Sequence, residues 1–252
     1  MAKLTDLVQW CDQELQANAF KDYAPNGLQI EGKSEVKKVL CAVSASQSAI
    51  DAAIEQQADV LLVHHGYFWK GEAYPITGMR GKRIKSLIQH DISLIAYHLP
   101  LDAHPTLGNN AAIANLLNLE NIEALNPSEH FPIGNIGYLQ QACSPSELQH
   151  LLSEKLNFNC VHLAAEKSKI QKIGFCTGAA QDFIHQAAAQ NCDAYISGEV
   201  SERTFYEAQE LNVHYYACGH HATERYGVQQ LAKALCEQFN LEYSYFELNN
   251  PI

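Results

Sequence analysis

Three short clusters hold most of the side chains in this 252-residue chain that could do chemistry. The first is His64 and His65, inside D-V-L-L-V-H-H-G-Y-F-W-K. The second is H-L-P-L-D-A-H, from His98 to His104, with Asp102 as its only carboxylate. The third is G-H-H-A-T-E-R, from Gly219 to Arg225. In it His220 and Glu224 stand four apart, a spacing that puts both on one face of a helical turn, about 5–6 Å apart at Cβ. Helical histidines grip zinc in metalloproteases with that geometry. Pooled, His64, His65, Asp102, His220 and Glu224 offer three imidazoles and two carboxylates, more than one structural ion requires. Such a nitrogen and oxygen set suits a catalytic site for Zn, Mn, Fe or Ni, not a soft thiolate site. A bridging Glu224 or Asp102 would hold two ions roughly 3.5–4 Å apart, an arrangement that makes a nucleophile of water at neutral pH. Taken singly, each cluster also fits a loop of surface histidines. All three lying just beyond an apolar run argues against accident. His98, His104 and His221 stand outside the set, with His98 the best placed to contact a substrate.

The elements that must carry these clusters are short strands. Val60–Val63 is an unbroken apolar run, too short for a buried helix and suited to a strand covered on both faces. Neighbours on a strand point to opposite sides, so His64 and His65 converge only where the strand stops and the backbone turns, a turn that Gly66 permits. The carboxyl ends of strands are where open α/β sheets bind ligands. The runs Ile92–Tyr97 and Val213–Cys218 end in the same way at the other two clusters.

Residues 38–65 align without gaps on residues 172–199. The aligned pairs Lys38 and Lys172, Ala45 and Ala179, Gln47 and Gln181, Ile50 and Ile184, Ala53 and Ala187, Gln56 and Gln190, and Asp59 and Asp193 are identical. Residues 90–98 also match 211–219, each followed by a polar loop and a helix, at Asn110–Leu119 and Gly227–Phe239. The expected architecture is α/β, with two duplicated α/β lobes and a metal cleft between them. The first lobe is 1–122, opened by an amphipathic helix over 3–17. A short connector, 123–169, holds one β-like stretch near 136–140 and a helix capped by Ser144; residues 170–252 form the second lobe. Glu199, the repeat counterpart of His65, is expected in the same cleft as a general base or a group that orients water. Gly108, Asn109 and Asn110 read as a turn and helix start, able to donate to a phosphate.

Composition narrows the function. The chain is 47% hydrophobic and 18% charged, ordinary for a globular protein, with a formal net charge of -11. That balance leaves no footprint for an extended nucleic acid, while a small anionic substrate stays compatible with a local cation. No run approaches the roughly 20 apolar residues of a membrane span, and Asp6 and Asp12 break up the N-terminal apolar pattern. The expectation is a soluble, cytoplasmic protein with no signal peptide. Eight cysteines without a C-x-x-C pair read as buried thiols in a reducing compartment.

The segments Y-A-P-N-G-L-Q-I-E-G, V-H-H-G-Y-F-W-K, H-L-P-L-D-A-H-P-x-L-G-N-N, T-G-x-x-Q-x-F-I, D-A-Y-I-S-G-E-V-S-E and G-H-H-A-T-E-R span nearly the whole chain. Together they resemble the GTP cyclohydrolase type 2 homologues, also called the NIF-three-like family. The resemblance implies two divalent ions per chain on His64, His65, Asp102, His220 and Glu224. It also implies two α/β lobes and a ring-shaped homohexamer with the metals lining its interior. The long central insertion of larger members is missing, so functions tied to it are not expected. The expected activity is hydrolysis of a small nucleotide-like substrate, GTP ring opening with formate release, with His98 and Glu199 as candidate catalytic residues. The alternative is a non-catalytic metal-binding scaffold or regulatory partner.

Overall fold

A lysine and an aspartate organise each half of the chain in the same way. Asp59 accepts the backbone N–H groups of Lys37 and Lys38 at 2.9 and 3.2 Å and pairs with Lys33 Nζ at 2.9 Å. Asp193 accepts those of Gln171 and Lys172 at 3.1 and 3.0 Å and pairs with Lys167 Nζ at 3.1 Å. Lys38 Nζ donates to Gln56 O, and Lys172 Nζ to Gln190 O. Gln57 and Asn191, two residues before each aspartate, both take left-handed backbone, at φ 55° and 57°. The halves are repeats in backbone geometry as well as in letters.

The computed structural model describes residues 1–252 and divides into two units, Met1–Leu101 with Arg225–Asn249 and Asp102–Glu224 with Asn250–Ile252. Its elements in chain order are β1 (Ala2–Lys3), α1 (Leu4–Glu14), β2 (Gly27–Ile30), β3 (Glu35–Val36), β4 (Lys38–Ser44), α2 (Gln47–Glu55), β5 (Val60–His65), α3 (Gly78–Gln89), β6 (Ser93–Ala96), α4 (Leu99–Ala103) and α5 (Asn109–Leu116). There follow β7 (Glu120–Ala124), β8 (Asn135–Cys143), α6 (Pro145–Leu156), β9 (Val161–Leu163), β10 (Ile170–Phe175), α7 (Ile184–Ala189), β11 (Ala194–Ser197), α8 (Glu202–Glu210), β12 (His214–Ala217), α9 (His220–Phe239) and β13 (Glu242–Tyr245). No helix is long and apolar enough to cross a membrane.

The first unit holds a five-stranded sheet in the order β13-β4-β5-β6-β2, parallel except for the edge strand β2. Strands β4 to β6 are buried almost throughout, as unbroken apolar runs in a covered parallel sheet should be. Leu40, Leu61 and Leu94 from the strands pack with Ile50 of α2 and Leu87 of α3. The second unit holds a six-stranded sheet, β7-β8-β10-β11-β12-β9, whose parallel centre β10-β11-β12 matches β4-β5-β6. Edge strand β9 runs antiparallel to β12 as β2 does to β6.

Two expectations need correction. Residues 123–169 do not form a separate connector, because β8 and β9 are strands of the second sheet and α6 belongs to the same unit. On α6, Leu148, Leu152 and Leu156 repeat the buried spacing of Leu7, Cys11 and Leu15 around α1, and Asn157 and Gln16 both end in left-handed backbone. Nor does a polar loop precede the last helix. α9 begins at His220 itself and runs 20 residues, whereas the matching stretch of the first half is broken into α4 and α5.

Candidate functional site

In the first unit β5 ends in His64 and His65, and His98 follows two residues beyond β6. His64 is fully buried, and its Nδ1 lies 2.8 Å from Tyr97 O. A carbonyl only accepts, so Nδ1 carries the proton and Nε2 the lone pair. His65 Nδ1 is 3.1 Å from Ser44 Oγ, and the rings of His64 and His65 lie 4.6 Å apart. The two imidazoles do meet at the strand end, although Gly66 makes room in a different way than expected. Its φ is not positive, and a Cβ there would collide with the Gln29 side chain and Ala96. Gln29 Oε1 accepts the Tyr67 N–H at 2.7 Å, so close approach is what excludes a larger residue.

His98 joins this pair, with ring centroids 5.1 Å from His64 and 5.8 Å from His65, and donor atoms of the three lie within 4.8 Å of one another. Asp22 fixes its orientation. Asp22 Oδ1 is 2.7 Å from His98 Nδ1, while Oδ2 accepts from Asn26 Nδ2 and from the Leu99 N–H, both at 2.9 Å. Asn26 Oδ1 in turn accepts the His98 N–H at 2.7 Å. Burial alone would raise the Asp22 carboxyl, but its hydrogen bond and charge interaction with His98, with Asn26 and the Leu99 amide, bring it down to about 2. A carboxylate that stays ionised holds the His98 proton on Nδ1 and presents Nε2 as a base. Trp69 stands edge-on to His98 at 4.9 Å.

The second unit gathers the carboxylates. Glu224 is buried, with Oε2 3.0 Å from His220 Nε2, so the four-residue spacing does place both on one helical face. His220 Nδ1 lies 2.7 Å from Glu199 Oε1. Burial pushes the His220 imidazole down, yet the two carboxylates outweigh it and lift it to about 9. Asp102 is buried too, and Oδ1 accepts from Asn109 Nδ2 at 2.9 Å and Thr177 Oγ1 at 3.2 Å. The two asparagines therefore hold Asp102 in place of a phosphate. Asn110 Nδ2 donates to Asp102 O at 3.1 Å, and its Oδ1 accepts the Thr177 N–H at 3.1 Å. Donor oxygens of Asp102 and Glu224 lie within 4.8 Å of each other. Buried carboxylates this close repel unless positive charge sits with them, so this donor set fits a cation.

Gly178 is the hinge of that arrangement. It sits at φ +69°, and a Cβ there would run into the Glu224 carboxylate. Its N–H donates to Thr223 Oγ1 at 3.1 Å, and its carbonyl accepts the N–H groups of Gly198 and Glu199 at 2.9 and 3.1 Å. His104 and His221 are not part of either group. His104 Nδ1 accepts the Leu107 N–H at 3.0 Å and closes its own turn, and His221 is buried with its N–H on Ile252 O. Asp22, Asn26, Thr177 and Gly178 were given no role by their spacing. The one signal for Thr177 and Gly178 was the T-G step at the end of a repeat strand.

A family profile described as Duf34/NIF3 (NGG1p interacting factor 3) matches residues 2–251. The chain is 46% identical over 243 residues to a protein of Vibrio cholerae named GTP cyclohydrolase 1 type 2 homolog, covering 96% of each. It is 45% identical to the Haemophilus influenzae protein of the same name, covering 98% of each. Among solved structures, a protein called ybgI, described as of unknown function, superposes with a TM-score of 0.95 at 42% identity over the full length of both chains. TTHA1606 from Thermus thermophilus superposes with a TM-score of 0.90 at 29% identity, again over both full lengths.

Proposed function

The chain belongs to the Duf34/NIF3 family, and from that premise we propose that it is a hydrolase dependent on two divalent ions, acting on a small nucleotide-like substrate. GTP ring opening with formate release is the first reaction to try, since it is the one the curated relatives are named after. One observation carries the proposal. In the first unit the donor atoms of His64, His65 and His98 lie within 4.8 Å of one another, and in the second the oxygens of Asp102 and Glu224, both buried, do the same. His64, His65, Asp102, His220 and Glu224 would hold the ions.

When bound, such a pair polarises a carbonyl and lowers the pKa of a water. The chain's own groups do the rest. His98, with its Nδ1 proton held on Asp22, takes a proton from an attacking water at Nε2 and returns it to a leaving nitrogen. Glu199 bonds Nδ1 of His220 and sets which nitrogen faces the site, and we read it as a positioning residue where its repeat position suggested a general base or a group that orients water.

Purified protein loaded with Mn, Zn or Fe and offered GTP, modified nucleotides and phosphoesters tests this, with formate and base-ring absorbance as readouts. Turnover that needs metal and disappears in a His65→Ala, Glu224→Gln double variant is expected. No turnover with any metal, or turnover that survives the double variant, overturns it, and stoichiometric metal binding without turnover would favour a scaffold. A homohexamer accompanies the proposal; sedimentation as a single 28.0 kDa species would remove it.

A further inference from the structure

We propose that Cys160 and Cys218 are the site of a reversible disulfide that ties edge strand β9 to the end of β12, two residues ahead of His220. Strands β9 and β12 are antiparallel, pairing Tyr215 with Leu163, Tyr216 with His162 and Ala217 with Val161. Continued one residue beyond the last paired rung, that register sets Cys218 opposite Cys160. Along β12, the N–H groups of His214 and Cys218 donate to Asp193 O and Ser197 O, on the β11 side. Alternation then turns the backbone of residues 214, 216 and 218 away from β9, so the rungs at 216 and 218 are of the non-hydrogen-bonded kind.

At such rungs the Cα atoms approach to about 4.5 Å and side chains lie closest. That falls inside the roughly 4.4–6.8 Å a disulfide spans. Two rungs back, at the preceding rung of the same kind, the rings of Tyr216 and His162 stack at 4.6 Å and 5°. Both cysteines are free thiols and both are buried.

The same rung matters in the first half. There β2 pairs Gly27 with Ala96 and Leu28 with Ile95, which sets Asn26 opposite Tyr97. Asn26 fixes the following residue, His98, by its hydrogen bond. In the second half no such bond bridges the rung. Cys218 leads into Gly219, at φ +85° and pressed against Phe158, and then into His220. A covalent bond there would do by sulfur what Asn26 does by hydrogen bonding.

A hydroperoxide is the oxidant small enough for buried thiols. One thiolate attacks a peroxide oxygen, the O–O bond breaks, and hydroxide leaves, giving a sulfenic acid. The second thiol attacks that sulfur and water leaves. Two electrons pass from the sulfurs to one hydrogen peroxide, which ends as two waters. A dithiol reverses the bond by exchange.

The test treats reduced protein with hydrogen peroxide, counts thiols after denaturation and maps non-reduced peptides by mass spectrometry. Loss of two of the eight thiols, a peptide linking Cys160 to Cys218, and recovery with dithiothreitol are expected; Cys160→Ser and Cys218→Ser should each keep their seven. Sulfinic acids, or a bond between other cysteines, would overturn the proposal. The effect on His220 rests on the metal reading and is followed by titrating both forms with Mn(II), for which at least a threefold change in Kd is expected. Reduced protein that binds no Mn(II) would strike at the metal reading and leave the disulfide standing. Equal binding by both forms would overturn the link to His220.

Discussion

The two halves share a frame and differ in what the frame presents. His65 and Glu199 occupy the same repeat position at the ends of β5 and β11, one an imidazole and the other a carboxylate. Ser44 and Gly178 correspond as well. Ser44 touches the imidazole of His65, whereas Gly178 gives up its side chain to make room for Glu224. Backbone bonds at Asp59 and Asp193 fix the strands, and the residues just beyond the strand ends carry no part of that frame. Those ends were therefore free to diverge, to an imidazole at His65 and to a carboxylate at Glu199.

The largest expected effects lie in the two carboxylates that orient histidines, Asp22 in the first half and Glu199 in the second. Asp22→Asn should cut turnover by about 10²–10⁴-fold, the size of a general acid–base contribution, with Mn(II) affinity unchanged. Glu199→Gln should weaken Mn(II) binding by about 10–100-fold, since it supports a ligand. Paired kinetics and titration calorimetry check both, and two variants with the same profile would break the contrast.

The Ser44 and Gly178 positions come next. Gly178→Ala costs roughly 1–3 kcal/mol for a non-glycine residue at positive φ, and its methyl displaces Glu224, so Mn(II) affinity should fall at least tenfold. Ser44→Gly removes one hydrogen bond, worth about 1 kcal/mol, and should leave that affinity within a fewfold. Calorimetric titration giving equal losses would mean the two positions do the same job.

The shared frame should respond alike in both halves, with a graded size. Asp59→Asn and Asp193→Asn each weaken two backbone bonds and an ion pair, at about 1–3 kcal/mol for a buried site. Asp59 should cost more, because its side chain is 11% exposed against 26% for Asp193. Urea unfolding gives the order, and a reversal would count against burial as the cause. Burial raises both carboxyls, but the lysine and amide hydrogen bonds outweigh it and hold both below the usual value. The unfolded chain then binds protons more readily, so this stabilisation is present above about pH 3.9 and is lost as pH falls through the lower native values. Each variant should flatten that acid limb.

The smallest effect is confined to the second half. Burial, with His214 beside it, lowers the His162 imidazole. The native state then resists a proton that the unfolded chain accepts, so stability should drop as pH falls below about 6.5. His162→Gln should lose less between pH 7 and 5.5 in thermal melts, and an equal loss would remove His162 as the source.

How much of this was legible follows from distance along the chain. The strand ends could be read because an apolar run and its polar terminus are contiguous, and the repeat because residues 38–65 and 172–199 align without gaps. The kinship of α1 and α6 could not be read that way, since Leu7 and Leu148 match at a different offset from Lys38 and Lys172. The roles of Asp22 and Asn26 depend on hydrogen bonds to His98 across more than seventy residues. The spacing of His220 and Glu224 reads as a helical turn, but the long helix is expected only from Gly227; positive φ at Gly219 ends β12 and lets α9 start at His220 itself.

The central proposal is that His64, His65, Asp102, His220 and Glu224 hold two ions. Anomalous diffraction from crystals grown with Mn(II) tests it most directly. Two peaks roughly 3.5–4 Å apart, shared among His64, His65, Asp102, His220 and Glu224, are predicted. A single peak on the histidines of the first unit, with nothing at His220 or Glu224, would contradict it.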